Sequence, residues 1–221
     1  RLLHARNLDW KDWGRSLRDN NVLLIEKHKQ GNAIAILGWP GFFGVLTGCN
    51  DKGMALASNQ ILTTSQAGKP LYLVLRSVLR QAKNLEEAGK ILKSSRYATS
   101  ASVMISSASE KKAILVELIY GKVFIHKLPE NNLLVNNNTY YFDVTGSFNK
   151  KLYHKCKLYK IAHSKKNIDI QKLQGIMSDP QVRLNLNLLT VIFDLSHNKI
   201  YLSYGKYGAA KGPYKEIKLF R

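Results

Sequence analysis

Short apolar runs rich in β-favouring residues fill the first third of the chain, and turn-forming residues separate them. Turns are indicated at 31–32, 40–41 and 50–53, where Gly53 suits the positive-φ position of a hairpin. The predicted strands are 1–6, 21–28, 33–39, 42–50 and 53–60.

Two segments that follow carry apolar residues at helical spacing. Pro70 suits the first turn of a helix over 70–82. The apolar face of that helix consists of Leu71, Val74, Leu75, Val78 and Leu79. A second helix, over 84–95, begins with Asn84 followed by Glu87, a pattern typical of a capping box.

The remaining elements repeat this alternation of strand groups and helix pairs. The predicted strands are 102–108, 112–119, 122–128, 132–138, 189–196, 199–205 and 215–220, and the predicted helices are 149–165 and 169–177. Helices in pairs between strand groups argue against a doubly wound parallel sheet. They predict one α+β domain over residues 1–221, with mainly antiparallel sheets.

The charge balance is strongly basic, with 34 Lys and Arg against 15 Asp and Glu, a net charge of +19. This invites a nucleic-acid interpretation, but the lysines are scattered and no zinc-finger, RNP or KH pattern accompanies them. The densest runs, at 149–160 and 163–166, indicate one face of a helix. We expect no nucleic-acid partner, and an anionic membrane surface or an acidic substrate is a candidate contact.

Cysteine and histidine usage excludes a recognisable metal site. Cys49 and Cys156 match no metal spacing, the six histidines form no HxH or HExxH pattern, and a single disulfide between the cysteines is left open. Arg1 is not an initiator methionine, so we expect a fragment or a processed product. The compartment stays open, with a lean towards an exported or cell-envelope protein.

No GxSxG, GxGxxG or Walker pattern supplies a reactive group. The candidates for chemistry are polar residues within apolar segments: Arg6 and Asp9, Asn59 and Gln60, and the run 136–138. Residues three apart in a flat strand face opposite sides, so Arg6 and Asp9 converge only if the chain turns or bulges near Asn7. Local chemistry alone favours a surface ion pair and a turn.

Four segments in order resemble the N-terminal-nucleophile (Ntn) hydrolases. They are "HARNLDW" (4–10), "GWPGFFGVLTGCNDKGMALASNQ" (38–60), "LRSVLRQAKNLEEAGKILKSS" (75–95) and "LLVNNNTYYFD" (133–143), and "TVIFDLSHNKIYLSYG" (190–205) resembles the closing hairpin. The branch is that of penicillin acyltransferase-like proteins, acid ceramidase, N-acylethanolamine acid amidase and bile salt (choloylglycine) hydrolase. The resemblance implies a four-layer αββα sandwich.

The resemblance also implies the nucleophile. In this family a Cys becomes the mature N-terminus by self-cleavage, and its own α-amine, with a pKa of about 8, serves as the base. The Cys precedes the Arg of "RNxD" by about sixteen residues, which places it about ten residues before Arg1. We therefore expect this chain to lack the nucleophile strand.

Site roles follow from the same resemblance. Arg6 would stabilise the thiolate, Asp9 would bind the α-ammonium group, and Asn137 would donate to the oxyanion, with Asn136 or Asn138 as alternatives shifted by one residue. Asn59 or Gln60 would lie on the substrate side, although some relatives carry Glu there. An acyl pocket is expected among Trp10, Trp13, Trp39, Phe42 and Phe43. Lys150 and Lys151 stand where the ceramidase branch has "DDRR", which argues against a close ceramidase equivalent.

These expectations define a hydrolase or acyltransferase of linear carbon–nitrogen amides with an apolar acyl group, without metal or cofactor. The partner would be a small acyl amide, and a homo-oligomer is a further candidate. The alternative is a catalytically inactive relative that binds an acyl amide or an anionic surface through its basic face.

Overall fold

A computed structural model describes residues 1–10, 14–61, 67–119, 121–127, 133–143 and 145–220. Its strands are β1 Leu3–Asp9, β2 Val22–Glu26, β3 Ile34–Gly38, β4 Thr47–Asn50, β5 Met54–Gln60, β6 Ala101–Ser107, β7 Lys112–Ile119, β8 Lys122–Lys127, β9 Asn187–Asp194, β10 Lys199–Tyr204 and β11 Lys215–Lys218. Its helices are α1 Gly14–Asp19, α2 Leu71–Gln81, α3 Leu85–Lys93, α4 Lys150–Lys155, α5 Lys157–His163 and α6 Ile170–Ser178. No helix among these residues is both long enough and apolar enough to cross a membrane.

The described strands form two antiparallel sheets. Strands β2 to β8 lie side by side in chain order, and the second sheet has the order β1-β9-β10-β11. Strand β1 therefore joins a strand from the far end of the sequence, with Arg6 opposite Val191. Within the described residues, the other edge of β1 is unpaired.

The sheets and helices stack in four layers. Helices α2 and α3 cover one face of the seven-stranded sheet with a core that includes Leu75, Leu79 and Leu92. The other face meets the four-stranded sheet, where Leu37 and Cys49 pack in one cluster with residues such as Val191 and Phe193. Helix α6 lies on the outside of that second sheet, where the Asn7 Nδ2 donates to the Met177 carbonyl at 2.8 Å. The predicted α+β fold with an αββα sandwich is confirmed.

Asn50, at the turn of the β4–β5 hairpin, is a buried polar residue whose hydrogen bonds join the hairpin to α2. Asn50 is buried, its Oδ1 accepts from the Met54 N–H at 3.0 Å across the turn, and its Nδ2 donates to the last carbonyls of α2, Leu79 at 2.9 Å and Ala82 at 3.0 Å. Gly53 has φ +75°, as predicted for this turn. At Gly48, a Cβ would lie 2.7 Å from the Ala35 carbonyl oxygen, so a side chain there would force the strands apart.

Two predicted strands differ from the structure, and one short helix is not predicted. The segment 133–137 is not a strand, because the Val135 N–H donates to the Tyr153 hydroxyl rather than to a neighbouring strand. The strand predicted at 42–50 begins only at Thr47, because the Val45 N–H donates to the Tyr72 carbonyl beside α2. The short helix α1 was not expected, since six residues carry too little periodicity.

The predicted helix 149–165 is interrupted at Cys156, whose backbone adopts φ −57° and ψ 128°. Tyr153 and Tyr159 are both buried in one cluster. In a continuous helix, two residues six positions apart point about 120° away from each other around the helix axis. The break between α4 and α5 allows both rings to reach the same cluster.

Candidate active site

Arg6 is a buried cation between the two sheets. Alternation along β1 turns His4, Arg6 and Leu8 inward. The Arg6 Nη1 donates to the Leu46 carbonyl at 2.8 Å and to the Thr47 Oγ1 at 2.9 Å. Burial lowers the pKa of Arg6 to about 10, against the opposing effects of Tyr72 and Asp9. The Arg6 side chain therefore stays charged at neutral pH in an apolar setting.

Asp9 stands where the pairing of β1 with β9 shifts. The irregularity lies between Leu8 and Asp9, so Asp9 pairs with Asn187. Burial raises the pKa of Asp9, and hydrogen bonds from Asn187 and from the Leu184 backbone oppose this shift. The Asp9 Oδ1 is buried and has no hydrogen-bond partner within the described residues. One carboxylate oxygen thus remains available for a cation.

Arg6 and Asp9 reach one cavity at the edge of β1, where the strand register also shifts. A cavity of about 510 Å³ is lined by residues from both faces of this strand, including Arg6, Asn7 and Asp9. The convergence of Arg6 and Asp9 depends on a turn or bulge near Asn7, and a register shift does lie between the two residues, at Leu8/Asp9. Side chains on opposite faces of an edge strand reach one cavity because it follows the edge.

Buried His4 neighbours Arg6 and is held neutral. Its Nδ1 lies 2.8 Å from the Ser106 Oγ, and its ring packs edge-to-face against Phe193. Burial, aided by the charge of Arg6, lowers the pKa of His4 to about 4. His4 therefore adds no second positive charge beside Arg6 at neutral pH.

The three consecutive asparagines point to three different partners. The Asn136 Oδ1 accepts from the Ser102 Oγ at 2.6 Å, and the Asn138 Nδ2 donates to the Gln60 carbonyl at 2.8 Å. The Asn137 Oδ1 accepts from the Thr139 N–H at 2.9 Å, which orients the amide, and its Nδ2 lies 3.6 Å from the Cys156 Sγ. Of the three, Asn137 has the donor with the weakest acceptor.

Two buried side chains hold the backbone on either side of this run. The Tyr153 hydroxyl accepts from the Val135 N–H at 2.9 Å. The Glu117 carboxylate accepts from the Tyr141 and Phe142 N–H groups at 2.8 and 2.9 Å. Burial raises the pKa of Glu117 to about 6, while these hydrogen bonds act in the opposite direction.

The cavity contains most of the predicted site residues and excludes two. Arg6, Asp9, Asn59 and Asn137 line it. Its apolar wall includes Leu2, Leu3, Leu133, Leu134, Val135, Ile168, Leu173 and Ile176. Gln60 and Trp39 are not among the lining residues, and their proposed substrate contacts stay predictions.

The aromatic residues expected to form an acyl pocket pack mainly against one another. Trp39 donates its Nε1 to the Leu17 carbonyl at 2.8 Å. Trp10, Trp39, Phe42 and Tyr72 form a continuous edge-to-face row. Phe43 is 73% exposed, and Trp13 lies outside the described residues. The apolar cavity wall comes instead from β1, the segment 133–135 and α6.

Sequence reasoning missed Asn187, Tyr72 and His4. Asn187 donates to the Leu189 carbonyl at 3.1 Å, accepts from the Ala210 N–H at 2.7 Å and supports Asp9. A polar residue at the start of a strand gives no local sign of such a role. Among the described residues, no group of three or more His, Cys, Asp or Glu side chains could hold a metal ion.

The chain matches the family described as acyl-coenzyme A:6-aminopenicillanic acid acyl-transferase over residues 1–207, and it belongs to that family. No curated protein sequence matches it.

Solved structures share its fold at low sequence identity. An N-acylethanolamine-hydrolyzing acid amidase ortholog from Caenorhabditis elegans is 17% identical, with 87% of each chain covered and a TM-score of 0.69. A mutant conjugated bile acid hydrolase from Clostridium perfringens is 17% identical, with 98% of this chain and 88% of that chain covered and a TM-score of 0.65. Penicillin V acylase from Agrobacterium tumefaciens is 14% identical, with 91% of this chain and 78% of that chain covered and a TM-score of 0.55. The fold is therefore that of the Ntn hydrolases.

Proposed function

We propose that this protein hydrolyses, or transfers the acyl group of, linear carbon–nitrogen amides through an N-terminal Cys that lies upstream of Arg1. The observation that carries the proposal is the convergence of Arg6, Asp9 and Asn137 on one apolar-walled cavity along the edge of β1 that no described strand pairs with. A buried cation, a carboxylate with an unpaired oxygen and an amide donor are the groups that thiol acyl transfer requires.

The position of the upstream segment follows from strand geometry. A segment that precedes Arg1 and pairs with the free edge of β1 would run antiparallel to it and take up part of the cavity. If the Cys lies about ten residues before Arg1 and the connecting turn has about five to eight residues, the first residue comes opposite 6–9. The free α-amine would then meet Asp9, and the thiol would meet Arg6.

The proposed reaction begins with transfer of the thiol proton to the α-amine. The thiolate attacks the amide carbonyl carbon, and the carbon–oxygen π electrons move to the oxygen, which accepts a hydrogen bond from the Asn137 Nδ2. Collapse of the tetrahedral intermediate breaks the carbon–nitrogen bond, and the α-ammonium protonates the leaving amine. Water or a second amine then attacks the thioester and releases the thiol.

Each chain residue has a distinct task in this scheme. The charge of Arg6 favours the thiolate over the thiol. Asp9 holds the α-ammonium in the protonated form that the leaving amine needs. The apolar wall formed by 133–135 and α6 accommodates an apolar acyl group.

N-terminal sequencing and intact-mass measurement of the mature protein test this proposal. We expect a free Cys about ten residues before Arg1, together with turnover of N-acyl amides that its substitution by Ser abolishes. Any other residue at the mature N-terminus would overturn the proposal and favour the inactive relative. A panel of acyl amides that differ in chain length would then define the acyl specificity.

A further inference from the structure

A long stretch of the chain beside the cavity carries positive charge only. Between Asp143 and Asp169 the sequence has no acidic residue. It contains seven lysines: Lys150, Lys151, Lys155, Lys157, Lys160, Lys165 and Lys166. All seven are exposed. We call this stretch, which includes α4 and α5, the cationic face.

The lysines of the cationic face have no acidic partner among the described residues. Elsewhere Lys52, Lys90 and Lys199 form ion pairs with acidic side chains. Within the part of the chain that the structure describes, none of the seven lysines of the cationic face takes part in an ion pair. Its charge is therefore directed to solvent and is available to an anionic partner.

The cationic face borders the cavity. Cys156, Lys157 and Leu158 belong to the cavity wall, and Lys157 is also one of the seven exposed lysines. On another side, Gln181 and Val182 line the cavity. Since Lys157 is exposed and also lines the cavity, the cationic face reaches the rim of the cavity.

One exposed leucine lies within the cationic face, and a second lies close in sequence to the cavity wall. Leu152 on α4 is 39% exposed, and Leu184, which follows the lining residue Val182, is 61% exposed. Lysine heads with nearby exposed apolar side chains are the combination that binds the interface of an anionic bilayer. Each lysine near such a surface adds to the attraction, and salt weakens it.

The aromatic residues of the same stretch speak against nucleic acid. Proteins that bind single strands stack bases on exposed aromatic rings. Here Tyr153 and Tyr159 are buried, at 2% and 9% exposure. On the cationic face, the lysines and Leu152 are accessible to a partner, whereas the rings of Tyr153 and Tyr159 are not.

We propose that the cationic face docks on an anionic lipid bilayer and holds the rim of the cavity at Lys157 close to the membrane surface, where acyl amides dissolved in the bilayer can enter. The docking is argued only from the charge and the exposed side chains of the cationic face. The delivery of an acyl amide rests on the proposed function.

Vesicle flotation of the mature protein tests the docking. The probes are vesicles of phosphatidylcholine alone and of phosphatidylcholine with about one-third phosphatidylserine, over a range of NaCl concentrations. The test variant is Lys151→Gln/Lys155→Gln/Lys160→Gln. The matched control is Lys83→Gln/Lys93→Gln/Lys112→Gln, which removes the same charge from exposed positions elsewhere.

We expect binding only to the phosphatidylserine vesicles, with a loss of at least about tenfold in the test variant and less than about twofold in the control. Equal binding of the two variants, or equal binding of the wild type to both vesicles, would overturn the docking. So would displacement of the protein from vesicles by an equal mass of single-stranded RNA, which would assign the face to nucleic acid.

Turnover separates this inference from the proposed function. The test variant should lose activity on an acyl amide embedded in anionic vesicles and keep it on a short, soluble acyl amide. Equal activity of test variant and wild type on the embedded substrate would overturn membrane delivery. A wild type that binds the vesicles but hydrolyses neither substrate would overturn the proposed function and leave the docking intact.

Discussion

The Asn137 Nδ2 lies 3.6 Å from the Cys156 Sγ, in the wall of the cavity that also contains Arg6. Sulfur is a weak hydrogen-bond acceptor, so the amide is oriented without being committed to a strong partner. A carbonyl oxygen that becomes negatively charged would be a much better acceptor at this position. The relationship connects the helix break at Cys156 with the proposed oxyanion donor.

Replacement of Asn137 by Ala should lower kcat by about 100-fold or more, because the oxyanion loses its amide donor. KM should change little, since the ground-state carbonyl needs that donor less. Steady-state kinetics on a soluble acyl amide measure both. Asn138→Ala is the matched control, since the Asn138 amide donates to the Gln60 carbonyl. A loss in kcat of tenfold or less in Asn137→Ala would contradict its role as oxyanion donor. A large loss in kcat in Asn136→Ala would assign that role to Asn136 instead.

Arg6→Ala and Asp9→Ala should each abolish turnover and self-cleavage, because the thiolate loses its cation or the α-ammonium its anion. Arg6 is buried, so the thermal unfolding midpoint of each variant is needed to separate loss of chemistry from loss of fold. Arg6→Lys keeps the charge and should retain more activity than Arg6→Ala. Wild-type turnover in either alanine variant would refute the assignment.

The two cysteines of this chain should differ in reactivity. Cys156 is half-buried and lines the cavity, whereas Cys49 is buried between the sheets, where burial raises the pKa of its thiol. Thiolates are the reactive species, so iodoacetamide should label Cys156 in the native protein and Cys49 only after unfolding. Peptide mass mapping reads out both sites. Equal labelling of both in the native state would show that the Cys49 environment is different from that described.

Glu117 should make the protein less stable as pH rises from about 4.5 to about 6. Burial raises its pKa from 4.5 to about 6 in the folded state, so in this window the native protein binds more protons than the unfolded chain. Its contribution is most favourable below this window and is lost on ionisation. Glu117→Gln keeps an oxygen acceptor for the Tyr141 and Phe142 N–H groups and should remove this slope.

Chemical unfolding of Glu117→Gln and wild type at a series of pH values measures the difference. Glu110→Gln serves as the control, since the Glu110 carboxylate also accepts a backbone hydrogen bond, from the Leu85 N–H at 2.8 Å, and Gln keeps an oxygen acceptor there. An unchanged pH slope in Glu117→Gln would contradict the assignment.

Local sequence pattern predicts an element correctly where that element depends on residues close together in the chain. The Asn84–Glu87 pair caps α3 as predicted, with the Glu87 N–H 2.9 Å from the Asn84 Oδ1. Gly53 occupies the turn expected of it. The segment 133–137 was misassigned because its backbone bonds depend on Tyr153, which is distant in sequence.

The sequence by itself determined the α+β class, most strands and helices, and the family resemblance that singled out Arg6, Asp9 and Asn137. These features depend on local periodicity and on the order of short motifs. Only the tertiary structure decided that Arg6 and Asp9, on opposite faces of β1, reach one cavity, because that depends on β1 being an edge strand paired with β9. It also placed Cys156 against Asn137 and the cationic face beside the cavity, since contacts between distant segments are set by packing and leave no local pattern.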